Sequence, residues 1–214
     1  MRTIIAGGHG KIALRLERLL GGDATGLVRD PGQVADVEAT GARAVLCDLE
    51  RASVEEVADI LRGADAAVFA AGAGPGSGVA RKDTVDRAAS VLLADAAERA
   101  GVRRFVQISS MGAGRPPEPG SDEVWAAYLT AKTEAEHDLT RRPLDWTILR
   151  PGGLTDDPGT GQVLLDVEVP RGRVPRDDVA AVIAALLRER AGLGLVLELV
   201  SGDTPVDDAI AALP

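Results

Sequence analysis

A tyrosine and a lysine stand four residues apart in the run Tyr128-Leu129-Thr130-Ala131-Lys132. Tyr128 is the only tyrosine of the 214-residue chain, and Lys132 is one of its three lysines. Residues four apart lie on the same face of a helix, one turn apart, so the Lys132 ammonium can stabilise a phenolate at Tyr128. A phenol and an ammonium in this arrangement are suited to acid–base catalysis.

A second pattern near the start of the chain is typical of a nucleotide-binding turn: Gly7-Gly8-His9-Gly10-Lys11-Ile12-Ala13. Gly7 permits a tight turn after a strand, Gly10 lets backbone amides approach a pyrophosphate, and Ala13 allows close helix–strand packing. The helix that follows offers free N–H groups and its positive dipole end to phosphates. The turn therefore predicts a dinucleotide site, with an ordinary glycine-rich connection as the alternative.

The end of the second predicted strand bears on the choice of dinucleotide. Arg29 lies nineteen residues beyond Gly10, where an acidic residue would bind a free ribose 2′-hydroxyl and an arginine would pair with a 2′-phosphate. Arg29 therefore favours NADP (NADPH) over NAD. The adjacent Asp30 leaves the other choice open, because it can bind the ribose or hold Arg29 away. Asp48, after the third strand, either accepts from the adenine amino group or caps a helix.

Short aliphatic runs alternate with longer helical patterns, which indicates βαβ units and a parallel sheet. The predicted strands are residues 3–6, 25–28, 44–47, 66–70, 104–108, 146–149 and 196–200. The predicted helices are residues 12–20, 33–40, 54–61, 84–100, 123–139, 178–190 and 206–213. Right-handed crossovers then give a doubly wound α/β sheet with helices on both faces and a ligand site beyond the carboxyl ends of the strands.

Composition excludes several classes of protein. A net charge of −9 and a pI near 4.8 argue against a nucleic-acid-binding surface. The single cysteine, Cys47, cannot form an internal disulfide, and the first predicted strand starts too near Met1 for a signal peptide, which together indicate the cytoplasm. No apolar run is long enough to span a bilayer, so we expect no membrane association. His137 lacks a partner at metal-ligand spacing, so we expect no metal.

Motifs spread over nearly the whole chain resemble those of the short-chain dehydrogenase/reductase superfamily. Besides the glycine turn and the Tyr128/Lys132 pair, they include Ser109-Ser110 at the end of the fifth strand. The runs Val-Arg-Asp-Pro, Val-Arg-Arg-Phe-Val-Gln-Ile-Ser-Ser-Met-Gly-Ala and Arg-Pro-Gly-Gly-Leu-Thr are similar to those of its compact atypical NAD(P)-binding branch, which includes NmrA-like and flavin/biliverdin-reductase-like proteins. The resemblance implies a Rossmann-type fold in a single domain, residues 1–214, with a short substrate-side segment at about 151–214.

The resemblance also implies roles for individual residues. Tyr128 would be the general acid/base, Lys132 would stabilise its phenolate and hold the nicotinamide ribose, and Ser110 would orient the substrate carbonyl. Because this branch often lacks parts of the usual triad, Tyr128 as an anchor beside the cofactor is the alternative. Turn, strand ends and resemblance together predict these cofactor-binding residues: Gly7, Gly8, His9, Gly10, Lys11, Ile12, Arg29, Asp48, Leu49, Ala70, Ala71, Gly72, Ser109, Lys132, Pro151, Gly152 and Gly153.

The function predicted from these features is an NADP-dependent oxidoreductase. It would transfer hydride between the nicotinamide cofactor and a small carbonyl, quinone or flavin-like acceptor, as a monomer or homodimer. One alternative is an NAD(P)-binding redox-sensing regulator without turnover, which the Tyr128/Lys132 pair disfavours. Another is an epimerase or dehydratase. The resemblance disfavours it, because superfamily members that act on nucleotide sugars usually carry a sizeable C-terminal substrate region, whereas only 64 residues follow Arg150. We expect a small or open substrate pocket in which Trp125 is either a wall or packing.

Overall fold

A computed structural model describes the protein at residues 1–74, 76–116, 120 and 122–214. The strands are β1 (Thr3–Ala6), β2 (Ala24–Val28), β3 (Arg43–Leu46), β4 (Ala66–Phe69), β5 (Arg104–Ile108), β6 (Asp145–Pro151), β7 (Gly153–Thr155), β8 (Gln162–Asp166), β9 (Arg173–Pro175), β10 (Leu195–Ser201) and β11 (Thr204–Pro205). Within the described residues, nine of them form one sheet in the order β11-β8-β10-β6-β5-β4-β1-β2-β3, and β7 pairs with β9 separately.

The helices are α1 (Lys11–Leu20), α2 (Val34–Glu38), α3 (Val54–Leu61), α4 (Val79–Arg81), α5 (Ala89–Ala100), α6 (Glu123–Leu139), α7 (Arg176–Arg188) and α8 (Val206–Ala211). A π-helical segment, Lys82–Ala88, joins α4 to α5. No helix in the described ranges is long and apolar enough to cross a membrane.

The strands from β3 to β10 in the sheet order run parallel, and β8 and β11 add an antiparallel edge. The strand order reverses at β1, which pairs with β2 on one side and β4 on the other. Connections therefore leave β1 and β4 toward opposite sides, which opens a crevice at their carboxyl ends. The glycine turn directly follows β1 and so lies at this crevice.

Apolar side chains cover both faces of the sheet, as buried parallel strands require. On one face, Ile12, Leu16 and Ile183 bring α1 and α7 against the sheet. On the other, Leu61 and Leu93 belong to the cluster that joins α3 and α5 to it. The doubly wound α/β class predicted from the sequence is confirmed, and all seven predicted strands are present within one or two residues at each end.

The differences from the predicted elements lie in short or irregular segments. Strands β7, β8, β9 and β11 were not predicted. β7, β9 and β11 have only two or three residues, and the apolar run of β8 extends only from Val163 to Leu165, so none carries a recognisable pattern. The predicted helix at 84–100 begins earlier, at Val79, and its first turns include the π-helical segment. Such segments are rare and frequently occur at functional sites.

Candidate functional site

The glycine turn after β1 has the backbone geometry that a phosphate requires. Gly7 has φ +81°, and a Cβ there would lie 2.6 Å from the Cα of Ala71, so only glycine fits. The Gly10 amide donates to the Gly7 carbonyl at 2.8 Å and α1 begins at the next residue. A Cβ at Gly10 would lie 3.0 Å from the Gly7 oxygen. Glycine at both positions therefore lets the turn pack closely against the chain at Ala70 and Ala71. The N-terminus of α1, a favourable place for a phosphate, follows directly.

A cavity of about 280 Å³ opens beside this turn, along the ends of β2, β3 and β4. Nine of the predicted cofactor-binding residues line it: Gly7, His9, Gly10, Arg29, Asp48, Leu49, Ala70, Ala71 and Gly72. Eight further residues complete the lining, and the sequence alone did not single them out as ligand contacts: Leu27, Val28, Gln33, Cys47, Glu50, Arg81, Val85 and Ala89. The turn and the strand ends thus converge on one cavity, which we call the adenosine cavity from the position of adenosine in doubly wound folds.

Three predicted residues of the turn, Gly8, Lys11 and Ile12, lie outside the lining of the adenosine cavity. Gly8 is buried against β2, where a Cβ would lie 2.7 Å from the Cα of Gly26. Lys11 forms an ion pair with Asp156 at 2.5 Å, and the Ile12 side chain belongs to the core. The Gly8 amide donates to the Leu27 carbonyl at 2.9 Å and is not available to a phosphate. Lys11 and Ile12, at the start of α1, have their backbone amides as the means of contact with a phosphate.

Arg29 has a partner inside the adenosine cavity. Its guanidinium lies 3.2 Å from Glu50, which also binds Arg81 at 2.7 Å and accepts a hydrogen bond from Thr84 at 2.8 Å. The hydrogen bond from Thr84, with the nearby guanidinium of Arg81, lowers the pKa of Glu50 below its ordinary value. An ionised carboxylate therefore sits between two arginines in the adenosine cavity.

Helix α6 carries the predicted tyrosine and lysine. Asp122 caps the helix by accepting from the Trp125 amide at 3.0 Å. The rings of Trp125 and Tyr128 lie 5.3 Å apart at 31°, and the Lys82 and Lys132 ammonium nitrogens lie 5.3 and 5.7 Å from the Tyr128 ring centre. Both lysines are therefore within cation–π distance of this ring.

Lys132 is buried and paired with a carboxylate that the sequence analysis did not identify. Its Nζ lies 3.2 Å from Asp86 Oδ1, donates to the Ile108 carbonyl at 3.2 Å, and lies 5.6 Å from the Phe69 ring centre. Asp86 comes from the π-helical segment, 46 residues away along the chain. Sequence spacing contains no signal for this pair, because packing of α6 against that segment creates it.

A second cavity, of about 500 Å³, lies beyond the ends of β5 and β6. We call it the acceptor cavity; its lining is Ser110, Met111, Gly112, Arg115, Pro116, Trp125, Leu129, Pro151, Gly152, Gly153, Arg171 and Gly172. Four predicted residues meet here: Ser110, Pro151, Gly152 and Gly153. Trp125 and Leu129 line the acceptor cavity from α6, on either side of Tyr128 along the helix.

Ser109, Tyr128 and Lys132 line neither of these two cavities in the described part of the chain. Ser109 is 3% exposed, its amide donates to the Leu149 carbonyl at 2.7 Å, and its hydroxyl has no hydrogen-bond partner among the described residues. An unpartnered buried hydroxyl is costly, so its presence is consistent with a polar ligand at this sheet edge. Among the described residues, no cluster of histidine, cysteine and acidic side chains could hold a metal ion.

The doubly wound sheet, the glycine turn at its switch point and the adenosine cavity define a dinucleotide-binding protein of the Rossmann class. The chain matches the model of the NAD(P)H-binding family over residues 7–190 and belongs to that family. The turn fits the phosphates of such a cofactor because its glycines allow a tight bend after β1 that places the N-terminus of α1 at the adenosine cavity.

Relatives and solved structures extend the match over the whole chain. The chain is 36% identical over 217 residues to the uncharacterized sugar epimerase YhfK of Bacillus subtilis, covering 100% of both chains. A putative NAD-dependent epimerase/dehydratase from Bacillus halodurans superposes with a TM-score of 0.91 at 32% identity, covering 100% of both. The oxidoreductase ylbE from Lactococcus lactis gives 0.87 at 30%, covering 100% of this chain and 96% of that one. The resemblance to the atypical short-chain dehydrogenase/reductase branch is confirmed.

Proposed function

We propose that this protein is an NADP-dependent oxidoreductase that transfers hydride between the nicotinamide cofactor and a small carbonyl, quinone or flavin-like acceptor. One observation carries the proposal: two cavities lie along the same carboxyl edge of the sheet, one at the glycine turn and one at Ser110. A dinucleotide bound at the first would direct its other end toward the second. The oxidoreductase name of the Lactococcus lactis protein supports the reaction class.

The adenosine half of the cofactor is assigned to the adenosine cavity. Backbone amides of the glycine turn bind the pyrophosphate, Asp48 and Leu49 border the adenine, and Arg29 pairs with the 2′-phosphate. The assignment of NADP rather than NAD rests on Arg29 and on Arg81, which faces the same cavity. Two guanidinium groups are a better match for a phosphate dianion than for a ribose hydroxyl.

The reacting half is assigned to the end of β5 and the acceptor cavity. Ser109, Pro151, Gly152 and Gly153 border the nicotinamide, while the Ser110 hydroxyl orients the acceptor oxygen. When bound, the dinucleotide supplies the hydride. Tyr128 donates a proton to the acceptor oxygen as hydride adds to the adjoining carbon. Residues 151–214 form the substrate side of the single domain.

The proposal is tested by assaying the purified protein with NADPH and NADH against a panel of carbonyls, quinones and flavins. We expect oxidation of NADPH with at least one acceptor class, and loss of about 100-fold in kcat for Tyr128→Phe if the tyrosine is the general acid. Thr130→Ala, an exposed hydroxyl on the same helix, is the matched control. A protein that binds NADPH without any transfer to this panel contradicts the proposal.

The names of two relatives favour a second candidate, an epimerase or dehydratase that oxidises and re-reduces a bound sugar. Such an enzyme would use the same cofactor and Tyr128, but would return the nicotinamide to its starting state. The two functions are distinguished by incubating the protein with NADP and nucleotide sugars. Isomerised or dehydrated sugar without net NADPH formation would support the epimerase or dehydratase, whereas net reduction of an acceptor supports the oxidoreductase.

A further inference from the structure

Three buried polar side chains at the carboxyl end of β5 have unused hydrogen-bonding capacity. Asp86 is 1% exposed, and Ser109 and Lys132 are each 3% exposed. Within the described residues, neither Asp86 Oδ1 nor the Ser109 hydroxyl has a hydrogen-bond partner. Lys132 has three N–H donors and gives one to the Ile108 carbonyl. Native interiors rarely leave such groups unpaired, so the arrangement indicates a polar ligand beside Lys132.

The contact between Asp86 and Lys132 compensates charge, and together with the Ile108 carbonyl it accounts for at most two of the three N–H donors of the lysine. Oδ1 and Nζ are 3.2 Å apart, yet this oxygen accepts no hydrogen bond from any described residue. Removing one partner of a buried ion pair leaves an uncompensated charge, whereas apolar replacement of both partners is often neutral. A buried pair is therefore weak support for stability, and the remaining donor of Lys132 points to binding.

Asp86 also contacts the loop that borders the adenosine cavity. Its Oδ2 accepts a hydrogen bond from the Ala73 amide at 3.2 Å, and a Cβ at Gly72 would lie 3.2 Å from its Oδ1. Val85 and Ala89, on either side of Asp86 along the helix, line the adenosine cavity. One carboxylate thus connects the loop after β4 to the lysine of α6.

We infer that Asp86 is a positioning residue for the nicotinamide half of the dinucleotide, acting through Lys132. It places the ammonium against the end of β5 with an N–H donor available to a ribose hydroxyl, and it holds Ala73 in the loop beside the adenosine cavity. This inference rests on the proposed function, since it requires a dinucleotide whose nicotinamide half reaches Lys132. Asp86 would then act together with the three predicted catalytic residues, Ser110, Tyr128 and Lys132.

The test compares two ligands in the full-length protein. NADPH occupies both halves of the site, whereas adenosine 2′,5′-bisphosphate occupies the adenosine half alone. For Asp86→Asn we expect an about tenfold weaker Kd for NADPH, the effect of losing one charge-assisted interaction, and a Kd for the bisphosphate within twofold of wild type. Asp86→Glu should recover part of the NADPH affinity, because it restores the carboxylate.

A matched control separates positioning from general destabilisation. Glu136 also is a buried acid in an ion pair: its side chain is 3% exposed and lies 2.9 Å from Arg150 Nε, on an arginine side chain that is 16% exposed. Glu136→Gln should lower the melting temperature and leave the Kd values of folded protein for both ligands unchanged. An Asp86→Asn protein that binds NADPH as tightly as wild type, or loses affinity for both ligands equally, overturns the inference.

A double variant tests the route through Lys132 and covers the case in which Asp86→Asn fails to fold. Lys132→Met removes the ammonium and leaves the Asp86 carboxylate unpaired; adding Asp86→Asn removes that charge as well, so the double variant contains no uncompensated ion. We expect the single Lys132→Met and the double variant to bind NADPH equally; a further tenfold loss in the double variant overturns the inference. Wild-type binding of NADPH without hydride transfer contradicts only the proposed function, and absence of any dinucleotide binding contradicts both.

Discussion

Arg29 donates a hydrogen bond to Glu50 at 3.2 Å, so the arginine assigned to the 2′-phosphate already has an anionic partner in the same cavity. A bound NADP must therefore compete with a carboxylate of this chain for the guanidinium. Glu50 also lies 2.7 Å from Arg81. Through Glu50, Arg29 at the end of β2 is therefore linked to Arg81 of α4 across the cavity. Discrimination between NADP and NAD should depend on this acid as much as on the arginines.

Glu50→Gln should strengthen NADPH binding about two- to fivefold, because the competing charge is removed from a partly exposed pair. NADH lacks the 2′-phosphate, so its Kd should change little. Fluorescence titration with both cofactors at low and high salt measures the difference, which should shrink as salt screens the charges. Glu38→Gln, at an exposed acid on α2, is the control. Equal changes for NADPH and NADH would contradict competition at the 2′-phosphate.

Gly7→Ala should weaken NADPH binding by at least about tenfold and lower the melting temperature. The new Cβ would lie 2.6 Å from the Ala71 Cα, and alanine at φ +81° is strained. Calorimetric binding and thermal unfolding measure the two effects. Gly22→Ala adds a methyl with no described atom within 4 Å and should change neither. Normal NADPH affinity in Gly7→Ala would show that the turn does not hold the pyrophosphate.

Glu17 should make folding stability fall as pH rises. The side chain is fully buried beneath the glycine turn, neither oxygen has a hydrogen-bond partner within the described residues, and burial raises its pKa from 4.5 to about 8. Between these values the folded protein holds a proton that the unfolded chain has released, so stability declines over this range and levels off above pH 8. The expected loss between pH 6 and 8 is on the order of 2 kcal/mol.

Urea unfolding of wild type and Glu17→Gln at several pH values measures this contribution. Glutamine cannot ionise, so the variant should show a flatter profile and should exceed wild type in stability at pH 8 to 9. Glu38→Gln again serves as the exposed control and should keep the slope of wild type. Identical slopes for Glu17→Gln and wild type would exclude the buried carboxyl as the source.

Trp125→Ala should raise the KM for the acceptor about three- to tenfold while leaving the Kd for NADPH unchanged. The indole is 47% exposed, lines the acceptor cavity and packs against the Tyr128 ring, so its loss removes an aromatic wall from the acceptor side alone. Steady-state kinetics and direct titration of NADPH separate the two constants. Leu19→Ala, at a 57% exposed apolar residue of α1, provides the control. A parallel loss of NADPH affinity would place Trp125 at the cofactor instead.

The helices and strands that have clear apolar patterns in the sequence were predicted correctly. Helix α6 spans Glu123–Leu139 and β1 spans Thr3–Ala6, as their apolar patterns indicated. The glycine turn and the strand ends were sufficient to predict half of the adenosine cavity, because parallel strands bring their carboxyl ends to one edge. These features depend on residues close together in sequence.

The remaining contacts depend on how distant elements pack. Asp86 meets Lys132 because the π-helical segment packs against α6, and a π turn has no distinctive sequence pattern. Glu50, after β3, meets Arg81 of α4 although 31 residues separate them along the chain. The sequence provided the residue types, but which acid pairs with which base was decided by tertiary structure.

The position of Trp125 in the lining of the acceptor cavity also has a spectroscopic consequence. The chain contains two tryptophans, and Trp146→Phe would leave Trp125 as the single indole emitter. Because that indole lines the acceptor cavity, its emission would report arrival of an acceptor directly, and overlap with reduced nicotinamide absorption would give a resonance energy-transfer signal for cofactor occupancy. The protein therefore carries an intrinsic optical probe with which binding order could be followed in real time, without an attached dye.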